Sequence, residues 1–166
     1  MAQTTQTKPT VYIETTVISY LTSQPSRDII VLAHQELTRA WWEKALPGFE
    51  AYVSPVVLRE IAQGDPAAAA QRMRAVEHLP VLAYSPEAER LSDEYVKALG
   101  IPPHAKADAD HLALASWHGM DFVATWNCAH LASGAVKRHL RTLNGAHGIW
   151  TPEVCTPEEL MDLIGG

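Results

Sequence analysis

Val11-Tyr12-Ile13-Glu14-Thr15-Thr16 joins a short apolar run to an acid and two hydroxyls. The three β-prone residues show no in–out alternation, so the strand they predict is covered on both faces, as strands of a parallel sheet are. Glu14 ends the strand, and the threonines after it can cap a helical turn. An acid placed directly after a buried strand is costly unless it is solvated, caps a helix or binds a cation.

Working outward, the same alternation repeats. Pro25-Ser26 stops the first turn, and Ser26 reads as the N-cap of a long helix through Trp41-Trp42 that closes at Pro47-Gly48. Ala51-Tyr52-Val53 predicts a second strand. Ser54-Pro55 and Asp65-Pro66 each pair a cap with a proline at the first helical position. They open a helix bearing Val56, Val57, Glu60 and Ile61, and an alanine-rich helix over 66–78. Leu79 to Ala83 predicts a third strand, and Ser85-Pro86 starts a helix with Ala88, Leu91, Tyr95 and Leu99 at helical spacing. After the Gly100–His104 loop, Ala107 to His118 predicts a helix with Leu112, Ala115 and Trp117 as apolar candidates. Asp121 to Thr125 predicts a fourth strand, 133–143 a helix, Ile149-Trp150 a last strand, and Thr156-Pro157 the start of the terminal helix. Short apolar strands alternating with helices predict one α/β domain over 10–166, with a central parallel sheet of about five strands. Residues 1–9 are expected to be a flexible lead.

Bulk properties narrow the function. A chain of 166 residues, 47% hydrophobic and 19% charged, can build its core without a disulfide or structural metal. The net charge of -6 argues against a passive clamp on duplex nucleic acid, which is usually basic. It leaves room for a metal-dependent nuclease, whose site must be acidic. Cys128 and Cys155 stand in no metal-ligand spacing and read as free thiols of a reducing compartment. The polar opening MAQTTQTKPT has no apolar core of a signal peptide, and no run is long enough for a membrane span, so a cytoplasmic protein is expected.

In a parallel α/β sheet, chemistry collects beyond the carboxyl ends of the strands. Glu14 follows the first strand, Glu60 lies within two turns of the cap after the second, and Asp108 opens the helix before the fourth. Thr125-Trp126-Asn127 follows the fourth strand, with Asn127 a polar amide where a further acid would fit. Carboxylates gathered at one edge raise each other's pKa unless a cation neutralises them, and hard oxygen donors suit Mg²⁺ or Mn²⁺. Such ions activate water and stabilise in-line attack at phosphorus. Asp110 reads as a first-turn acid or a neighbour of the site, and Thr16 as a cap or a hydroxyl holding Glu14. His111 reads as a hydrogen-bonded, half-buried histidine, since no second His or Cys shares its face to make a zinc site. Lys106, Lys137, Arg138 and Arg141, with Arg27, are the basic candidates for an RNA backbone. A solvated helix face explains the 137–141 run equally well. Of the Trp41-Trp42 pair, one ring is expected in the core and the other half-exposed, where it could serve a dimer surface.

Four of these segments resemble the motifs of PIN-domain proteins. Val11 to Thr16 resembles the opening strand and acid. Ser54 to Ile61 is similar to the helix bearing the second acid. Asp108 to Ala115 is similar to the Asp-Ala-x-x-x-Ala helix of the third, and Phe122 to Asn127 to the strand ending in Thr-x-Asp or Thr-x-Asn. The resemblance runs from about residue 10 to 163. It implies a three-layer α/β/α fold and a Mg²⁺- or Mn²⁺-dependent ribonuclease like the VapC-type toxins. Glu14, Glu60 and Asp108 would be catalytic, those three with Asn127 would hold the metal, and Thr16, Thr125 and Asp110 would support them. It also implies a homodimer and a cognate antitoxin. Two departures stand out: Glu14 replaces the usual Asp, and Asn127 brings no charge. A catalytically weak interaction module with the same fold is therefore the alternative. Nucleotide binders, receivers and Ser/His/Asp hydrolases lack their signatures here, with no G-x-G-x-x-G, Walker A or G-x-S-x-G present.

Overall fold

A computed structural model describes residues 7–163. Four parallel strands form one sheet: β1 (Thr10–Ile13), β2 (Glu50–Tyr52), β3 (Phe122–Ala124) and β4 (Glu153–Cys155), in the order β2-β1-β3-β4. Helices α1 (Thr15–Thr22), α2 (Ile29–Lys44), α3 (Pro55–Ile61), α4 (Pro66–Val76), α5 (Pro86–Leu99), α6 (Lys106–Trp117), α7 (Gly134–His147) and α8 (Pro157–Met161) flank it. The α/β class with a parallel sheet is as the alternating pattern predicts.

Val11, Tyr12 and Ile13 are wholly buried because β1 is central, with β2 on one side and β3 on the other. Register places Val11 beside Ala51 and Phe122, and Ile13 beside Ala124. At the amino edge, Thr10 donates to Asp121 Oδ2 through both its N–H (2.8 Å) and its hydroxyl (3.0 Å), which pins β1 against β3. Most caps are those the sequence names: Ser54, Asp65, Ser85 and Thr156 each accept a hydrogen bond from the first turn they precede. The long helix differs. Its cap is Asp28, whose Oδ1 accepts from Ile30 N and Val31 N, while the Ser26 hydroxyl accepts from Asp28 N and shapes the turn before it.

Two expected strands are corrected. Leu79–Ala83 contributes only a bridge between Val53 and Val81, because Pro80 can accept from Val53 N (3.1 Å) but has no N–H with which to extend the ladder. Ile149-Trp150 is not a strand. Ile149 N caps α7 through Asn144 O, and the last strand starts three residues further on, with Val154 as its buried centre. The sheet therefore has four strands, not five. Of the expected lead, residues 1–6 lie outside the described residues, whereas Lys8 and Pro9 are anchored: Lys8 Nζ donates to Pro47 O and Glu50 N to Pro9 O.

Helix α6 shapes the site most. Ala109 to Ser116 are all buried, because α6 packs against α5, α3 and β3. Trp117, an expected core residue, is 44% exposed at the end of the helix, while Leu112 and Ala115 are fully buried. Trp41 is in the core and Trp42 half-buried, as a helical pair of adjacent rings requires. No helix among the described residues is long and apolar enough to cross a membrane.

Candidate functional site

Glu14 leaves the carboxyl end of β1 with its backbone N–H on Ala124 O, so it stands in the crevice between β1 and β3. It is only 3% exposed and is the N-cap of α1. Three donors converge on Oε2: Thr16 N (3.1 Å), Thr16 Oγ1 (2.5 Å) and Thr125 Oγ1 (2.7 Å). Both hydroxyls are held from behind, Thr16 Oγ1 accepting from Trp126 N and Thr125 Oγ1 from Asn127 N, each at 2.9 Å. Thr16 and Thr125 thus lock the acid and tie α1 to the end of β3. Glu14 Oε1 faces His111, with Nε2 at 4.0 Å.

Glu60, on the second turn of α3, reaches the same place. Its Oε1 accepts from Thr15 Oγ1 and from His111 Nε2, both at 2.7 Å. Burial opposes its charge, but the hydrogen bond and charge of His111, with Thr15 and Arg59, outweigh it and hold the carboxyl below its ordinary value. Asp108 sits one helical turn before His111 on α6. Burial pushes its carboxyl up, the charges of Glu14 and Glu60 push it further, and His111 and His130 pull only partly against them. His111 is 1% exposed; burial disfavours its cation, yet the Glu60 hydrogen bond and the charges of Glu14, Glu60 and Asp108 raise its pKa. Three carboxylates from three separate elements therefore surround one buried imidazole.

The other expected residues divide. Asn127 donates through Nδ2 to Asp108 Oδ1 (3.3 Å), while its own Oδ1 accepts from His130 N (3.0 Å). In this arrangement it serves Asp108 as a donor and closes a turn, and its oxygen is not turned to the acids. Asp110, two residues from Asp108, faces α5 instead. Tyr84, Ser92 and Lys106 all donate to its Oδ1, at 2.6, 2.6 and 2.7 Å. Burial opposes the Asp110 charge, but Lys106, Ser92 and Tyr84 hold the carboxyl below its usual range. Lys106 is thereby committed to Asp110, with Asp93 at 3.6 Å, rather than presented to an RNA backbone. The α7 run is also split. Lys137 acts on Cys155 at the carboxyl end of β4, Arg138 is exposed, and Arg141 pairs with Glu153 at the opposite edge of the sheet. Arg27 is exposed in the turn before α2.

His111 is hydrogen-bonded, as its sequence setting predicts, but it is fully buried rather than half-buried and stands at the centre of the cluster. The available signal was its i,i+3 spacing from Asp108, which puts both on one helix face. Thr15, Tyr12 and Ser54 were not singled out for chemistry at all, since their parts depend on α6 packing over β1 and α3.

Among the described residues, no group of three or more His, Cys, Asp or Glu side chains is set to hold a metal ion as it stands. Glu60 Oε1 already accepts from His111 and Thr15. The donor set nevertheless fits a hard cation. The acids are carboxylates that repel one another, and Mg²⁺ needs only one or two of them beside its retained waters. A groove of about 580 Å³ lies elsewhere, along the β2 edge between Trp42, Leu46, Phe49, Tyr52 and Leu79, with Lys8, Glu50 and His78 also in its lining. It includes none of Glu14, Glu60 and Asp108. No protein-family model matches the chain, and no curated protein matches it.

Proposed function

We propose that this chain is a PIN-type, Mg²⁺- or Mn²⁺-dependent ribonuclease that hydrolyses phosphodiester bonds at the carboxyl edge of its sheet. The observation that carries the reading is the meeting of Glu14, Glu60 and Asp108 around His111, with Asp108 held up by burial and, beside it, the charges of the other two. A buried carboxyl held up beside two other acids is what a cation would relieve. Glu14 and Asp108 would hold the metal, with Glu60 completing the set through the oxygen His111 does not take. When bound, the metal would supply an activated water and charge stabilisation at phosphorus.

The chain's own part is positioning. Thr16 and Thr125 keep the Glu14 carboxylate fixed, and Asn127 steadies Asp108. Arg59 beside Glu60 and Lys137 near the end of β4 are cations that could meet a backbone phosphate, with the exposed Arg138 next to Lys137. Since they are few, binding relies on local contacts and weakens steeply with salt. A homodimer and a cognate antitoxin belong to the same reading.

A second reading has one observation in its favour. Glu60 is tied to His111 and the Asn127 oxygen to a backbone N–H, as suits a PIN-like interaction module with little catalysis.

One experiment separates the two. Purified protein is titrated with Mn²⁺ while its melting temperature is followed, and RNA cleavage is measured with and without chelator. The nuclease reading expects metal-dependent stabilisation and cleavage, both lost in Asp108→Asn. Neither effect at millimolar Mn²⁺ leaves the module.

A further inference from the structure

His111 lies inside α6 on a stretch, Ala109 to Ser116, that is buried throughout. An imidazole there is costly unless both ring nitrogens are partnered. Both are. Nε2 meets Glu60 Oε1 at 2.7 Å, and Nδ1 meets the Tyr12 hydroxyl at 2.6 Å. Tyr12 OH is in turn 2.8 Å from Ser54 Oγ, which accepts from Val57 N at the cap of α3.

The direction of each bond follows from these partners. A carboxylate only accepts, so Nε2 carries the proton donated to Glu60. With the imidazole neutral, Nδ1 has a lone pair, and the Tyr12 O–H donates to it. Tyr12 oxygen then accepts from the Ser54 O–H, and Ser54 oxygen accepts from the Val57 N–H. The chain runs from the cap of α3 through β1 and α6, and returns to α3 at Glu60. Its two ends are six residues apart on one short helix, so the loop holds Glu60 against rotation.

We infer that His111 is a positioning residue of this cluster: its Nε2–H, fixed by Tyr12 and Ser54, orients the Glu60 carboxylate and leaves the other Glu60 oxygen to act in the site. The inference rests on the metal reading given above. Direct ligation by His111 is disfavoured, because neither nitrogen is free. A histidine serving only the core is the competing role. It has no reason to spend its Nε2–H on Glu60, whose side chain is 30% exposed and can be hydrated. Hydrogen-bond partners of this kind typically change metal affinity or activity about 10–100-fold when removed.

The test uses the full chain labelled with ¹⁵N-histidine, and the variants His111→Leu and His111→Gln. Mn²⁺ affinity is measured by calorimetry, and cleavage on an unstructured RNA oligonucleotide. At alkaline pH, where the imidazole is neutral, the wild-type ¹⁵N spectrum is expected to show Nε2 protonated and Nδ1 as an acceptor. His111→Leu is expected to lose about 10–100-fold in Mn²⁺ affinity, with kcat falling and KM for RNA unchanged. The Gln amide can still donate to Glu60, so His111→Gln should recover most of that loss. A folded His111→Leu that binds Mn²⁺ as wild type does overturns the inference, as does a neutral imidazole with its proton on Nδ1. Should His111→Leu fail to fold, Tyr12→Phe keeps the packing of β1 and removes the donor to Nδ1 together with the acceptor of the Ser54 hydroxyl. A mixed imidazole tautomer with several-fold weaker Mn²⁺ binding is then expected, and an unchanged tautomer and affinity overturns the idea. A wild-type chain that takes up no Mn²⁺ overturns the metal reading instead, and the tautomer spectrum still decides the hydrogen-bond chain.

Discussion

Thr125→Val tests whether Glu14 is held as a buried carboxylate in its socket. Valine matches threonine in shape, so the change removes one hydroxyl and little packing. That hydroxyl is fully buried, donates to Glu14 Oε2 at 2.7 Å and accepts from Asn127 N at 2.9 Å. A hydrogen bond to a charged group contributes about 1.5–3 kcal/mol, and stranding the partly buried Asn127 N–H adds about 1 kcal/mol. The expected loss is therefore about 2.5–4 kcal/mol, within the roughly 5–15 kcal/mol stability of a typical domain, so the variant still folds. For a chain of this size, each kcal/mol shifts the melting temperature by about 2–4 °C, giving a fall of roughly 5–15 °C. Urea denaturation and thermal melts of the metal-free protein read it directly. Thr125→Ser keeps the hydroxyl and should lose less than half as much. In a double-mutant cycle with Glu14→Gln, the coupling should exceed about 1 kcal/mol, because the bond is stronger to a charged acceptor. A Thr125→Val loss under about 0.5 kcal/mol, or no coupling to Glu14, would refute the socket.

Asp108→Asn should leave the metal-free fold intact or stabilise it by about 0.5–1 kcal/mol at neutral pH, since burial and the charges of Glu14 and Glu60 already disfavour its ionised form. A melting temperature well below wild type contradicts this. Asp110→Ala should act the other way. Breaking its contacts with Tyr84, Ser92 and Lys106 should cost about 2–4 kcal/mol, reduced from a fully buried pair because Lys106 is partly exposed. Mn²⁺ affinity of the folded variant should be unchanged. The pH dependence of metal-free stability has two limbs. Glu60 is lowered, so its contribution is present above its ordinary 4.5 and is lost as pH falls through the lower folded value. His111 is raised, so its contribution is complete below 6.5 and is lost as pH rises through the higher folded value. Ionisation of Asp108, whose folded value is raised, adds a loss as pH rises past 3.8. Urea midpoints in chelator should show His111→Gln flattening the alkaline limb and weakening the acid one, since Glu60 loses its charged partner, and stability that climbs from pH 6.5 to about 8 contradicts the assignment.

What could be read along the chain was whatever one segment decides alone. Caps at Ser54, Asp65, Ser85 and Thr156 are local hydrogen bonds, and each is where its residue type and following proline put it. Helix ends were less legible where two candidates lay close together, as with Ser26 and Asp28. Strands were least legible at the sheet's edges. Pro80 accepts but cannot donate, so a run that reads as a strand becomes a single bridge, and β4 rests on one buried valine that no periodicity announces. Both failures concern pairing, which is not a property of a single segment.

The Val11–Thr16 stretch, by itself, determined that a buried strand ends in an acid, and the order of acids along the chain determined which residues could meet at its carboxyl edge. Tertiary structure decided how they meet. A side chain's neighbours depend on helix rotation and sheet order, so Asp108 turns to the acids while Asp110, about 200° further round α6, turns to α5. The same packing brings His111, which sequence alone cannot distinguish from a core histidine, within hydrogen-bonding reach of Glu60 and Tyr12 from two other elements.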